Sequence, residues 1–237
     1  MIKGTSISSG AAELKTLFEA IAARDLDLVS RLLAQSPMLA RQANSAGATR
    51  QNPREYFFES IGHYAYGGDT PLHIAAAAHA PDIVDALLAH GADVHARNRR
   101  GAEPLHYAAD GNPDAPHWNP DAQAAVIQRL IRAGANPNAL DKDGVAPLHR
   151  AVRTRCAAAV HALLVGGAEP RLQNKSGPTT IFLARCALTL ARWSSVTVPA
   201  RPRRCLWRCL WRCRTPVSPP LTIGNFTALY SPWHLSP

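Results

Sequence analysis

The sequence predicts an all-α solenoid of stacked helix-turn-helix units followed by an irregular C-terminal tail, and three observations carry this. First, three segments open alike: Gly68-Asp69-Thr70-Pro71-Leu72-His73-Ile74-Ala75, Gly101-Ala102-Glu103-Pro104-Leu105-His106-Tyr107-Ala108 and Gly144-Val145-Ala146-Pro147-Leu148-His149-Arg150-Ala151. Second, each runs into an apolar helical pattern closed by a Gly-Ala pair, at Gly91-Ala92, Gly134-Ala135 and Gly167-Ala168. Third, the spacing is regular. Gly68 to Gly101 is 33 residues, Gly144 to Gly177 is 33, and Gly101 to Gly144 is 43, one period plus ten. A fixed period in this range marks units that cannot bury an apolar face alone and so stack on their neighbours.

Each element has a local reason. Pro71, Pro104 and Pro147 fall where a first helical turn loses nothing by lacking an N–H. Leu72, Leu105 and Leu148 point into the stack, and the alanines at 75, 76, 108 and 109 allow close helix approach. Ile83, Val84, Leu87 and Leu88 form the stripe of a second helix, repeated by Val126, Ile127, Leu130 and Ile131. Gly91, Gly134 and Gly167 suit a left-handed helix end. Before these units, Leu14, Leu17, Phe18 and Ile21 make one stripe, and Leu28, Val29, Leu32 and Leu33 a second, ended by Ser36-Pro37. The opening motif is missing there, as expected of a terminal capping unit.

These residues resemble the ankyrin repeat, whose signature is T-P-L-H-x-A at a period of about 33. On this resemblance the repeat domain covers 12–184. It holds a degenerate first repeat at 12–48, repeats near 68–100, 101–143 and 144–176, and an incomplete one at 177–184, where Thr180 and Phe182 stand in place of Pro and His. The resemblance implies an all-α solenoid with hairpin tips. It also implies that His73, His106 and His149 are structural, their rings bonded to neighbouring backbone. Two stretches break the period: Thr49 to Gly67, with Tyr56, Phe57, Phe58, Tyr64 and Tyr66, and Asp110 to Gln123, with Trp118. Such insertions either serve a binding face or pack over the adjacent groove.

The resemblance further implies a function: binding of a protein partner through hairpin tips and the inner face of the first helices, without catalysis. Carried over residue by residue, the partner-facing positions are Tyr66, Asp69, Ala77 and Ala78 in the first clear repeat. In the second they are Arg99, Arg100, Ala102 and Asp110, with Trp118 overhanging the groove. In the third they are Lys142, Asp143, Val145, Arg153 and Thr154. Arg, Tyr and Trp dominate binding energy at protein interfaces. Exposed arginine on a hairpin tip is equally an ordinary solubilising surface. The partner itself is unidentified.

Charge and composition bound the alternatives. The formal net charge is +9, yet of 26 basic residues eight arginines fall in 179–237, which has no lysine or carboxylate. That leaves 18 basic against 17 acidic residues in 1–178, so the body is nearly neutral and the basicity belongs to the tail. No specific nucleic-acid partner is expected. Anion or nucleic-acid binding through the tail is the alternative function. The tail, 185–237, contains the run Cys205-Leu206-Trp207-Arg208-Cys209-Leu210-Trp211-Arg212-Cys213. It reads as a disordered basic extension, as an out-of-frame translation of a fourth repeat, or as a metal or nucleic-acid element. Structural zinc would want a fourth ligand in phase, and Cys186 and His234 are both distant. A stack unfinished at its C-terminal end would expose apolar surface, which leaves self-association through that end open.

Other signals are negative. No secretory leader or membrane-length apolar run is read, and only Cys156 lies in the body, so a cytoplasmic location is expected. No phosphate loop, dinucleotide fingerprint, H-E-x-x-H or G-x-S-x-G is present. Neither cofactor nor metal is expected. His117 with Asp114 and Asp121 could gather a metal but suits a polar loop. Arg153 and Arg155 could activate the Cys156 thiol, although a packed thiol fits the site as well.

Overall fold

Four helix pairs follow one another in the structure, a computed structural model that describes residues 6–112 and 118–175. They are α1 (Ser6–Ala22) with α2 (Leu26–Gln35), α3 (Pro71–Ala77) with α4 (Pro81–Ala89), α5 (Pro104–Ala109) with α6 (Pro120–Arg132), and α7 (Pro147–Arg153) with α8 (Ala157–Val165). First helices stack in the order α1, α3, α5, α7, and second helices in the order α2, α4, α6, α8. The fold is an all-α solenoid. No described helix is long and apolar enough to cross a membrane.

The core is the seam between these two rows. Leu17, Ile21, Leu72, Leu105 and Leu148 fill it from the first helices, and Leu33, Val84, Leu87, Ile127, Leu130 and Leu163 from the second. Each such side chain contributes roughly 1.5–3 kcal/mol by leaving water. Ala75, Ala76, Ala108, Ala109 and Ala151 are fully buried where first helices meet. Proline opens α3, α5 and α7. The helices α4, α6 and α8 each end in a pair of hydrogen bonds across a left-handed glycine. For α4, Gly91 N–H donates to Leu88 O (2.9 Å) and Ala92 N–H to Leu87 O (3.0 Å), with Gly91 at φ +78°. Gly134 and Gly167 repeat this closure. Left-handed backbone there avoids the Cβ clash other residues would meet.

The signature histidines are structural staples. In each unit Nδ1 accepts the N–H of the residue before the proline: Thr70 to His73 (3.1 Å), Glu103 to His106 (3.1 Å), Ala146 to His149 (3.0 Å). Nδ1 must therefore be unprotonated, and Nε2–H is the donor. That N–H reaches the next unit, from His73 to Ala102 O (3.0 Å) and from His106 to Val145 O (3.0 Å). Burial holds His73 below its usual pKa and pushes His106 down to about 4.

Hairpin tips form a second ladder. In each, the N–H of the closing glycine bonds back to the opening Asn or Asp: Gly68 to Asn44, Gly101 to Asn98, Gly144 to Asp141. Successive tips join by backbone bonds, Arg99 N–H to Gly67 O (2.8 Å), Lys142 N–H to Arg100 O (3.0 Å) and Lys175 N–H to Asp143 O (3.4 Å). The first insertion therefore starts earlier than its composition suggests. It begins inside the first tip, just after Ser45, and returns at Gly67. It folds as a finger with a 3₁₀ turn at Arg54–Tyr56 and a two-stranded hairpin, β1 (Phe57–Phe58) against β2 (His63–Tyr64), pairing Phe57 with Tyr64 and Phe58 with His63. The second insertion separates α5 from α6, at the other end of the first helices. Residues 113–117, which include His117 and Asp114, lie outside the described residues, as do the incomplete repeat at 177–184 and the tail at 185–237.

Candidate functional site

The finger and the inner faces of α5 and α7 enclose a groove of about 350 Å³, lined by Gly62, His63, Tyr64, Tyr66, Asn98, Arg100, Ala102, Tyr107, Asp110, Asp141, Asp143, Val145, Arg150 and Arg153. The finger is anchored through both strands of its hairpin, on the rung that pairs Phe58 with His63. Phe58 meets Phe18 of α1 edge to face, with centroids 6.4 Å apart. The His63 ring lies 4.5 Å from that of Tyr107 on the groove floor. Burial holds His63 below its usual pKa, only partly offset by its bond to Tyr64 O. Phe57 and Tyr64 lean against each other with centroids 4.6 Å apart and stay more than one-third exposed, Tyr64 at the rim of the groove.

Two polar networks build the floor, and they occupy matching repeat positions. In one, Asn98 Oδ1 accepts the N–H groups of Arg100 (2.9 Å) and Ala102 (3.1 Å), while its amide donates to Asp69 (2.8 Å). Tyr107, from the variable place of the signature, donates its hydroxyl to Asp69 at 3.0 Å. Burial and the Asp69 charge push the Tyr107 phenol far above its usual range. In the other, Asp141 stands where Asn98 did and accepts Asp143 and Val145 N–H, both at 2.9 Å. Arg150 stands where Tyr107 did, and its guanidinium bridges Asp110 (2.8 Å) and Asp141 (3.1 Å). Arg153 adds a second bond to Asp110 at 2.9 Å. Burial alone would raise the Asp141 pKa. The Val145 N–H and the Arg150 guanidinium outweigh it and hold the carboxyl below its ordinary value.

Of the residues expected to face a partner, Tyr66, Arg100, Asp110, Asp143, Val145 and Arg153 line this groove. Arg99 and Lys142 stand exposed along the tips beside it. Four expectations need correction, because Asp69, Ala77, Ala78 and Ala102 are buried. Asp69 is consumed by Asn98, Tyr107 and the Tyr66 N–H (2.6 Å), and Ala102 lines the groove only beneath its neighbours. Ala77 and Ala78 end α3 inside the stack. Trp118 does not overhang: it packs against the core, and its indole N–H is spent on Gln123 Oε1 (3.2 Å). The Thr154 hydroxyl turns back to Arg150 O at 3.0 Å. Cys156 is fully buried, and burial pushes its thiol up, which makes it a packed thiol rather than an activated one.

Residue-by-residue reading missed His63, Tyr64, Asp141 and Arg150. Arg150 had a signal, since it puts a charge where the earlier units carry Ile74 and Tyr107. Among the described residues, no cluster of three or more His, Cys, Asp or Glu is placed to hold a metal ion.

The comparisons agree with this architecture. The family described as ankyrin repeats (3 copies) matches residues 17–118, and the single ankyrin repeat matches 100–142. The chain belongs to the ankyrin-repeat family. Among its ankyrin-repeat relatives, Ankyrin repeat and SOCS box protein 16 of Mus musculus is 37% identical over 115 residues, covering 48% of this chain and 25% of that protein. Ankyrin repeat and SOCS box protein 6 of Homo sapiens is 35% identical over 117 residues, 46% of this chain and 26% of that protein. E3 ubiquitin-protein ligase KEG of Arabidopsis thaliana is 31% identical over 137 residues, 56% of this chain and 8% of that protein. The chain thus spans about a quarter or less of the length of these relatives. Ankyrin repeats are generally protein-interaction modules and generally non-catalytic, and the enzymes among the relatives are multidomain proteins.

Proposed function

We propose that this chain binds a protein partner through the groove between the finger and α5 and α7, with no chemistry of its own. The observation that carries this is the make-up of the groove. Tyr64, Arg100, Asp143 and Arg153 present aromatic, cationic and anionic groups around one accessible concavity, over a floor cross-linked by side-chain hydrogen bonds and ion pairs in which the buried Arg150 Nε is left without a partner. A floor so cross-linked is held in place, so partner groups meet preorganised positions and little ordering entropy is lost on binding. Aromatic and Arg anchors around a concave site are the usual carriers of interface energy. On this reading 12–184 is the binding body, and 185–237 is a separate basic tail that the partner does not need.

The test is affinity capture with the full chain, followed by mass spectrometry, set against the double substitution Tyr64→Ala with Arg153→Ala. Arg153 is two-thirds exposed, so its ion pair adds little to stability and the fold should be retained by circular dichroism. Partners lost in the double variant and kept on deletion of 185–237 support the reading. Partners kept in the variant and lost with the tail overturn it in favour of anion or nucleic-acid binding by the tail.

A further inference from the structure

One tip position is basic three times over: Arg99 in Asn98-Arg99-Arg100-Gly101, Lys142 in Asp141-Lys142-Asp143-Gly144, and Lys175 in Asn174-Lys175-Ser176-Gly177. All three are exposed. They also share a conformation. Each side chain lies back toward the preceding unit and donates to a carbonyl there: Lys142 Nζ to Arg99 O at 2.6 Å and Lys175 Nζ to Lys142 O on the preceding tips, and Arg99 to Ala48 O at the base of the finger that interrupts its own. The stems run over the glycines of those tips. A Cβ on Gly101 would sit 3.0 Å from Lys142 Cγ, and one on Gly144 3.4 Å from Lys175 Cγ.

The charges are held in a row and left open. Arg97, Arg129, Arg150 and Arg153 all have carboxylate partners within ion-pair distance, whereas among the described residues Arg99, Lys142 and Lys175 have none. An ammonium carries three donors and a guanidinium five, so one bond to a carbonyl leaves most of them for a ligand. Arg99 and Arg100 further lie over the Tyr66 ring, 5.5 and 5.1 Å from its centroid, which ties the row to the aromatic finger.

The repeat sets the spacing of this row. Consecutive tips are joined by the same backbone bond, so they advance with the helix stack, whose neighbouring axes lie about 8–10 Å apart. An extended polyproline II chain returns the same face every third residue after about 9 Å. A β-strand presents the same face every second residue, after about 7 Å, and does not match. We infer that the tip ridge docks an extended acidic segment of a partner protein, with carboxylates at every third residue meeting Arg99, Lys142 and Lys175 in turn. This rests on the protein-binding reading and names the chemistry of the partner.

The experiment is fluorescence anisotropy on the full chain with two labelled peptides of identical composition. One carries Glu at positions i, i+3 and i+6 in a Pro/Ala background, and the other carries Glu at i, i+2 and i+4. Both have the same net charge, so the arginines of the tail attract them equally. One pair forms with either peptide, so the two further exposed pairs, at about a factor of two each, should favour the three-spaced peptide by about fourfold, and this margin should shrink at high salt. The triple variant Arg99→Gln, Lys142→Gln, Lys175→Gln keeps the stems and should erase the preference without loss of helicity. Equal affinity for the two peptides overturns the inference. So does a preference that survives the triple variant, or stronger competition by a single-stranded oligonucleotide of equal charge. The groove variant Tyr64→Ala with Arg153→Ala should keep the preference, so failure of the groove reading and failure of the ridge are told apart.

Discussion

Replacing Arg150 by Met should destabilise the stack far more than a typical surface change, because it strips the counter-charge from two carboxylates at once. The Arg150 side chain is 11% exposed and the Asp141 side chain 6%, so this pair sits largely out of water. Asp141 keeps the N–H groups of Asp143 and Val145, and Asp110 keeps Arg153. The loss should therefore fall near the lower end of what breaking a buried pair costs, about 3 kcal/mol. For a domain of this size that is a fall in Tm of roughly 6–12 °C. Urea unfolding followed at 222 nm measures it, with an unchanged slope showing that the denatured state is unaltered. A second variant tests the cause. Asp141→Asn with Arg150→Tyr removes the buried carboxylate together with its counter-charge, using the side chains that Asn98 and Tyr107 supply in the preceding repeat, and it should recover most of the loss. If Arg150→Met costs under about 1 kcal/mol, or if the double variant is as unstable as the single one, the ion pair is not what holds this corner.

Acid should loosen the stack through its signature histidines. His79 and His106 fall to about 4, and His63, His73 and His149 are also lowered, each with burial as the leading cause. A lowered histidine pKa means that the unfolded chain takes up the proton first. Stability is therefore complete above about pH 6.5 and is lost as pH falls, down to about 4 for His79 and His106, with the other three adding to the loss in the same direction. Chemical unfolding at pH 7.5, 6 and 5 would show this, and a flat profile would refute it. Separately, excising 46–66 to join Ser45 directly to Gly67 should leave a folded stack and an opened groove. The cost should not exceed about 5 kcal/mol, for the burial of Ala65 and the partial burial of Phe58, Ile61 and Tyr66. Loss of the helical signal at 222 nm would show that the finger is part of the core.

What was legible in the sequence was whatever repeats. Proline starts, leucine and alanine burial, histidine staples and left-handed glycine ends each obey a rule that three copies state in phase. The site was less legible because its parts are the exceptions. Asp69 reads as an exposed tip carboxylate, yet Asn98 and Tyr107, 29 and 38 residues away in sequence, take it inside. Ala77 and Ala78 have no side-chain chemistry to betray that α3 ends within the stack. His63 stands in an aromatic-rich insertion, and nothing local says that its ring will meet Tyr107. Trp118 lies in an insertion of the kind that serves binding faces, which suggests an overhang, but its N–H finds Gln123 five residues on. In each case the deciding contact is long in sequence or is made by a residue with no motif.

The finger is tolerated because of where it enters. Tips communicate through two backbone groups, the N–H of the second tip residue and the carbonyl of the third, as in Lys142 to Arg100. In the first tip the insertion falls between these two places. Gly67 still offers its carbonyl to Arg99, and Gly68 still closes on Asn44. Over twenty residues are added and no ladder bond is lost. The entropy of closing a longer loop rises only with the logarithm of its length, about 0.6 kcal/mol per doubling. The same length placed inside a helix would break the stack. Placed between helices, as in the second insertion between α5 and α6, it leaves both helices intact. The finger stands over the first helices, and the inner face it meets is that of α5 and α7. That is where Arg150 replaces the pattern residue and where the groove opens. The finger supplies aromatic walls to a floor that the repeats alone would have left shallow.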